Sequence, residues 1–188
     1  MTQTCTAFSG TNLIASGPLA EVALTVKSAD APQVLVFDDR TGAVIDLDLR
    51  GSNEEIAARY APAPEDAAPR KRGRPKLGVV AREVTLLPRH WDWLQGQPGG
   101  ASATLRRLVE TARQQDSGAT AARAARDAAY RFMSAIGGDL PGFEDAARAL
   151  FAGDMDGFAR QIADWPADIA AHAQRLAVGP GATEKDAQ

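Results

Sequence analysis

Three prolines in the nine residues from Ala61 to Pro69, with no bulky apolar side chain among them, set the strongest limit on how this chain folds. Such a segment has nothing to bury and favours an extended, semi-rigid backbone. The chain must therefore build its structure on either side of it. Directly after it comes Arg70-Lys-Arg-Gly-Arg-Pro-Lys76. Residues 1–69 carry four basic and ten acidic side chains, residues 70–89 seven and one, and residues 90–188 ten and thirteen. A protein of net charge −3 thus gathers a third of its Lys and Arg into twenty residues. That asymmetry is the footprint of contact with nucleic acid or another anionic surface.

The rest of the composition narrows the class. At 188 residues the chain can hold one medium domain or two small ones. No apolar run approaches the roughly 20 residues of a membrane span, and Met1 to Phe8 lacks the basic start and apolar stretch of a signal peptide. The lone Cys5 excludes an intramolecular disulfide and a cysteine zinc site. A cytoplasmic setting fits best.

Residues 1–60 read as a small α+β unit. Thr4–Leu13 is strand-like with an interruption at Gly10, and Pro18–Ser28 has helical spacing through Leu19, Val22, Ala23 and Val26. Gln33–Phe37 reads as a buried strand. After turn chemistry at Asp39–Gly42, Ala43–Leu49 reads as a second strand, with Ile45, Leu47 and Leu49 on the buried face and Asp46 and Asp48 on the wet one. Ser52 and Glu55 have the spacing of a capping box. Asp38, Asp39, Asp46 and Asp48 are explained by turn and alternation, so no metal or cofactor is expected.

Residues 118–178 read as helices: Ala119–Ile136 with Tyr130, Met133 and Ile136 on one stripe, and Pro141–Phe151 burying Phe143, Ala147, Leu150 and Phe151. Asp154 caps Met155–Trp165, with Phe158, Ile162 and Trp165 inward, and Pro166 opens a last helix through Ile169 and Leu176. Residues 179–188 are expected to be a disordered tail. The fold class is α+β, with residues 61–78 as linker and basic arm. His90 and His172 stand isolated, and Ser102 lacks the His and acid partners of a nucleophile, so no enzyme activity is expected.

Between arm and helices, residues 79–115 form a distinct module. Ala81–Leu87 is a short apolar and β-branched run ended by Pro88. Arg89–Gln97 carries Trp91 and Leu94 at helical spacing, Pro98-Gly-Gly100 breaks it, and Ser102 is placed to cap a helix through Leu105, Leu108, Val109 and Ala112. About 33 residues of strand, helix, turn and helix cannot bury a sufficient core alone, and the simplest partner is a second copy.

This module resembles the ribbon-helix-helix family of bacterial repressors and antitoxins. The resemblance rests on the strand ending Leu87-Pro88, the helix through Trp91 and Leu94, the turn Gly100-Ala-Ser102 and the helix Leu105–Val109. It implies a homodimer whose paired strands enter the major groove, with Ser102 and the following amides gripping phosphate. If Leu87 points inward, Arg82, Val84 and Leu86 face out. Shifted by one, Val84 and Leu86 are buried and Glu83, Thr85 and Leu87 face out. Arg82 and Thr85 are then the candidate base contacts, and Val84, Leu86, Trp91, Leu94, Leu105, Leu108 and Val109 the dimer interface.

The arm Arg70, Lys71, Arg72, Gly73, Arg74, Pro75, Lys76 resembles an AT-hook. Pro75 keeps the chain extended, Gly73 lets the backbone sit deep, and Arg72 and Arg74 suit the narrow, electronegative A·T minor groove. Over nearly its whole length the chain also resembles the bacterial domain-of-unknown-function family 2239, through residues 17–23, 74–94 and 129–135. That resemblance brings no activity. The expectation is a nucleoid-associated or regulatory protein that binds A·T-rich DNA as a homodimer, with flanking regions free to meet a protein partner. A non-catalytic interaction module that only dimerises is the alternative, and an antitoxin-like partner-binding role a weaker one.

Overall fold

The first strand, Thr4–Ser9 (β1), is buried on both faces from Cys5 to Phe8, so it must lie in the middle of a sheet and between two layers. In a computed structural model that describes residues 3–29, 31–62, 82–116 and 118–179, this is its position. β1 pairs antiparallel with Asn12–Pro18 (β2) on one side and Val34–Asp38 (β3) on the other, giving the order β2-β1-β3. Gly10, at φ +56°, makes the turn between β1 and β2, so the interrupted strand expected over Thr4–Leu13 is a hairpin. Eight helices complete the described residues of this mixed α+β fold.

Alternation along β1 separates two cores. Cys5 and Ala7 pack with Val36 against Val22 and Val26 of Leu19–Ala29 (α1). Phe8 and Phe37 face the other way, onto Phe132 and Met133 of Ala119–Ile136 (α5), Leu150 of Phe143–Ala152 (α6), Phe158 of Met155–Gln161 (α7) and Ile169 of Ala167–Val178 (α8). Phe37 meets Phe132 edge-on with ring centroids 4.8 Å apart, and Phe8 lies 5.4 Å from Phe132. Residues up to 63 and from 120 onward therefore form one unit with shared cores, and residues 64–119 form a second. The segments that read as separate at the two ends of the sequence are one structure.

Hydrogen bonds join the two ends as well. Leu13 N–H donates to Asp168 Oδ2 at 2.8 Å, and Arg131 Nη1 donates to Thr41 O at 3.2 Å. Gly42 (φ +65°) lies so close to α5 that a Cβ there would collide with the Ala128 carbonyl oxygen. Glycine at that turn is a packing requirement.

Several local expectations hold. Asn53–Tyr60 (α2) begins with the Ser52/Glu55 capping box, with Ser52 N–H to Glu55 Oε2 at 2.7 Å and Glu55 N–H to Ser52 Oγ at 3.2 Å. Asp154 caps α7 by accepting from Gly157 N–H, and Pro166 precedes α8. Phe158, Ile162 and Trp165 are buried.

Others need correction. Ala43–Leu49 is not a strand: after a single bridge between Phe37 and Val44 it leaves the sheet. Its main chain is drawn to α2 instead. The Tyr60 hydroxyl accepts from Asp48 N–H at 2.6 Å, and Arg59 Nη1 donates to the carbonyls of Asp48 and Arg50. Ile45, Leu47 and Leu49 still pack on the α1 side of the sheet, so the alternation marks burial without strand pairing. On α6, Phe151 is half exposed and stacks near Tyr130, itself on the surface, because the helix turns that side away from the sheet.

Candidate functional site

Within the second unit, Pro88–Gln95 (α3) and Gly100–Gln115 (α4) pack on one another. Pro88 occupies the first helical turn of α3, where its missing N–H costs nothing, and Leu87 precedes it in extended conformation. Gly99 (φ +85°) and Gly100 (φ +73°) make the left-handed turn into α4, a path that favours glycine. The N-cap of α4 is Gly99, without a side-chain hydrogen bond. Ser102 is therefore not the cap expected from the sequence. It is the third residue of the helix, exposed, because the two glycines start the helix early.

The first turn of α4 consequently presents main-chain N–H groups that no side chain caps. Arg106, one turn on, reaches back to Ser102 Oγ at 3.5 Å and brings positive charge to the same end. Arg106 went unmarked in the sequence, although its i+4 spacing from Ser102 was there to be seen.

Leu94 is buried in this unit, Trp91, Leu86 and Leu105 are partly buried, and Val84, Leu87, Trp93, Leu108 and Val109 remain 45% to 58% exposed. Leu86, His90, Trp93, Leu94, Leu105 and Leu108 line an apolar hollow of about 250 Å3 between the helices. Arg82 and Thr85 are exposed. Residues 82–87 form no strand within the chain, correcting the expectation of a strand over Ala81–Leu87. The arm, Arg70 to Lys76, and the tail beyond Gly179 lie outside the described residues.

The larger unit holds a polar cluster that the sequence hid. His172 on α8 is 1% exposed, although it read as an isolated histidine. Ile169, His172, Ala173 and Leu176 share helical spacing, and that stripe was the available signal. Arg175 Nη2 donates to His172 Nδ1 at 2.5 Å and to Thr6 Oγ1 at 3.2 Å, and Thr6 Oγ1 donates to Asp39 Oδ1 at 2.7 Å. With Nδ1 accepting, the neutral ring carries its proton on Nε2, which has no hydrogen-bond partner and faces Asp39 Oδ1 at 3.8 Å. Burial, with the Arg175 guanidinium adding to it, pushes the His172 pKa down to about 3, so this contact is not an ion pair.

Nearby, burial raises the Cys5 thiol to about 11, with the Asp39 and Asp38 carboxylates adding to the shift. A thiol held neutral in this way is a packing residue. Burial pushes Asp38 up, but hydrogen bonds from Gln3, Thr41 and Arg40 outweigh it and hold the carboxyl below its ordinary value. Asp38 thus organises the turn after β3, which corrects its reading as part of a solvated face. Asp48 pairs with Arg50 at 2.8 Å, and their hydrogen bonds hold its carboxyl below the usual range. Among the described residues, no three His, Cys, Asp or Glu side chains converge as metal ligands.

No curated protein and no solved structure matches the chain. A family model does, over residues 4–177, which takes in both ends of the shared core and everything between them. The chain belongs to the domain-of-unknown-function family 2239, described as uncharacterised protein conserved in bacteria.

Proposed function

We propose that this protein binds DNA as a homodimer, through its central unit and the basic arm of residues 70–76. The open apolar face of α3 and α4 carries the reading, with Trp93, Leu108 and Val109 about half exposed around a hollow. A unit this small needs further burial to be stable, and a second copy supplies it by the simplest symmetry. Val84, Leu86, Trp91, Leu94, Leu105, Leu108 and Val109 would form that interface.

In such a pair, residues 82–87 of the two chains would lie together as an antiparallel ribbon like that of the ribbon-helix-helix family. Thr85, on the face opposite Val84 and Leu86, would reach the major groove, and the uncapped first turn of α4, with Ser102 and Arg106, would meet a phosphate. The AT-hook-like arm would place Arg72 and Arg74, around Gly73 and before Pro75, in an adjacent A·T minor groove. Arg70, Lys71 and Lys76 would add phosphate attraction that weakens with salt. Affinity then comes chiefly from the arm and the phosphates, with little base reading. A regulatory or nucleoid-associated role in the cytoplasm follows.

Fluorescence anisotropy with A·T-rich and G·C-rich duplexes across a salt series tests this. The expected result is tighter A·T binding, a negative log–log salt slope, and loss of the A·T preference in Arg72→Ala/Arg74→Ala. Absence of binding at low salt would overturn the proposal. If light scattering still showed a dimer, a non-catalytic interaction module would take its place.

A further inference from the structure

The outer edge of β3, in the larger unit, leaves main-chain groups open beside a cavity walled largely by aliphatic side chains. Along an antiparallel ladder, alternate residues turn their N–H and C=O toward one neighbour and then the other. Val36 belongs to the set turned away from β1, since its carbonyl accepts from Ile45 N–H at 2.7 Å. So does Asp38, whose N–H donates to Ala43 O at 2.9 Å, and Val34 shares their parity. Beyond Ile45 the chain peels away toward α2. The Val36 N–H and both main-chain groups of Val34 are left without a hydrogen bond to any described residue.

Between that edge and the departing segment lies a cavity of about 380 Å3, walled by Val26, Lys27, Val36, Ile45, Leu47 and Leu49. The volume is in the range of ligand sites, roughly 300–1,000 Å3. Lys27 spends one N–H on Gly51 O at 2.6 Å and is the only cation on the wall among the described residues. Asp46, its opposite in charge, stands exposed on the departing segment.

We infer that the β3 edge takes up an extended peptide of a partner protein as an added strand, aliphatic at every second position and carrying an acidic residue to meet Lys27. An extended backbone offers C=O and N–H groups at the spacing of the Val34 and Val36 groups, which a purely aliphatic ligand could not satisfy. Side chains on one face of that strand would fill the cavity, and main-chain bonds would supply the affinity, as in strand-addition complexes. An exposed sheet edge is otherwise a liability that proteins cover. This inference concerns the larger unit and stands apart from the DNA reading.

The test uses full-length protein and a capped, labelled peptide with the sequence of residues 43–49, Ala-Val-Ile-Asp-Leu-Asp-Leu, which has the required alternation. Saturable binding is expected. N-methylation of the peptide at alternate amides should weaken binding by about tenfold, since each lost bond of this kind is worth about one decade. Val34→Pro, which removes an outward N–H and spares the ladder to β1, should do the same, and Lys27→Glu should weaken it several-fold. Hydrogen exchange should find the Val34 and Val36 amides fast in the free protein and protected with peptide. Absence of saturable binding, equal binding of the N-methylated peptide, or protection of those amides in the free protein would each overturn the inference. The last result would mean that the chain itself or a second copy already fills the edge. If Val34→Pro fails to fold, the N-methylated peptide on the wild-type protein decides.

Discussion

The two units of this protein treat their apolar side chains in opposite ways. In the larger, Phe37 meets Phe8 and Phe132 edge to face with all three rings at zero exposure, and helices from the end of the chain close over strands from its beginning. In the smaller, Leu94 is buried while Trp93 beside it and Leu108 across the hollow are half in water. One unit is finished within a single chain, and the other leaves an apolar face open. Phe132→Ala should therefore destabilise the larger unit by about 3–5 kcal/mol, the usual cost of emptying a packed aromatic site, read as a fall in the denaturant midpoint. Leu108→Ala should cost the isolated chain less than about 1 kcal/mol and show itself in the monomer–dimer equilibrium by light scattering. Equal falls in the midpoint would erase the distinction.

Acid should bear on the larger unit through His172. Two charged groups face this ring, Arg175 from α8 and Asp39 from the turn after β3, with the Thr6 hydroxyl bridging them and Phe8 and Phe132 packed on the ring. The folded value of about 3 lies below the ordinary 6.5, so between those limits the unfolded chain binds a proton that the folded chain refuses. Stability is then flat above about pH 6.5 and falls as pH drops toward 3, by up to ~1.4 kcal/mol per pH unit. Asp38, held below its ordinary value, adds a further loss only at the acid end of that range and below. Urea titrations at pH 7, 6, 5 and 4 would trace the fall, and His172→Gln should flatten it between pH 6 and 5. A wild-type curve level down to pH 5 would contradict the buried, neutral imidazole.

Much of this contrast was legible in the sequence, and the misses have physical causes. Short-range signals carried through: the Ser52/Glu55 box, the Asp154 cap, Pro88 at a helix start and the buried Phe158–Ile162–Trp165 stripe depend on neighbours within one or two turns. Ala43–Leu49 has the alternation of a strand, but its pairing was decided by Tyr60 and Arg59, eleven residues or more away, which captured the main chain of Asp48. His172 looked isolated because Asp39, which faces it, and Thr6, which bonds its neighbour Arg175, lie more than 130 positions earlier. The joining of the two ends was invisible for the same reason. A Pro-rich linker in the middle marks where the chain leaves a core and says nothing of whether it returns. In the smaller unit the apolar face could be read from spacing, whereas the helix start could not, since two consecutive left-handed glycines displaced Ser102 from the cap.

Thr104 sharpens the comparison from inside the smaller unit. Its Oγ1 is buried without a hydrogen-bond partner, a state that costs about 1–3 kcal/mol wherever it persists. Thr104→Val keeps the shape and removes the hydroxyl, so the variant should gain roughly 1 kcal/mol in a chemical melt of this unit. A loss instead would show that the hydroxyl finds a partner in solution, and that this unit is more nearly complete than its open face suggests.

The smallest effect belongs to Ser102. A serine that caps a helix costs about 0.5–2 kcal/mol when replaced by alanine. Inside the first turn of α4, with Gly99 at the cap, Ser102 has no such duty, and alanine is the better helix former by a few tenths of a kcal/mol. Ser102→Ala should therefore leave the melting of the smaller unit unchanged or raise it slightly. Its effect should appear in DNA anisotropy, as a loss of a few-fold that is the same for A·T-rich and G·C-rich duplexes, because a phosphate contact carries no base preference. A drop in stability of about 1 kcal/mol with DNA binding untouched would return Ser102 to the role of a cap and remove it from the proposed phosphate contact.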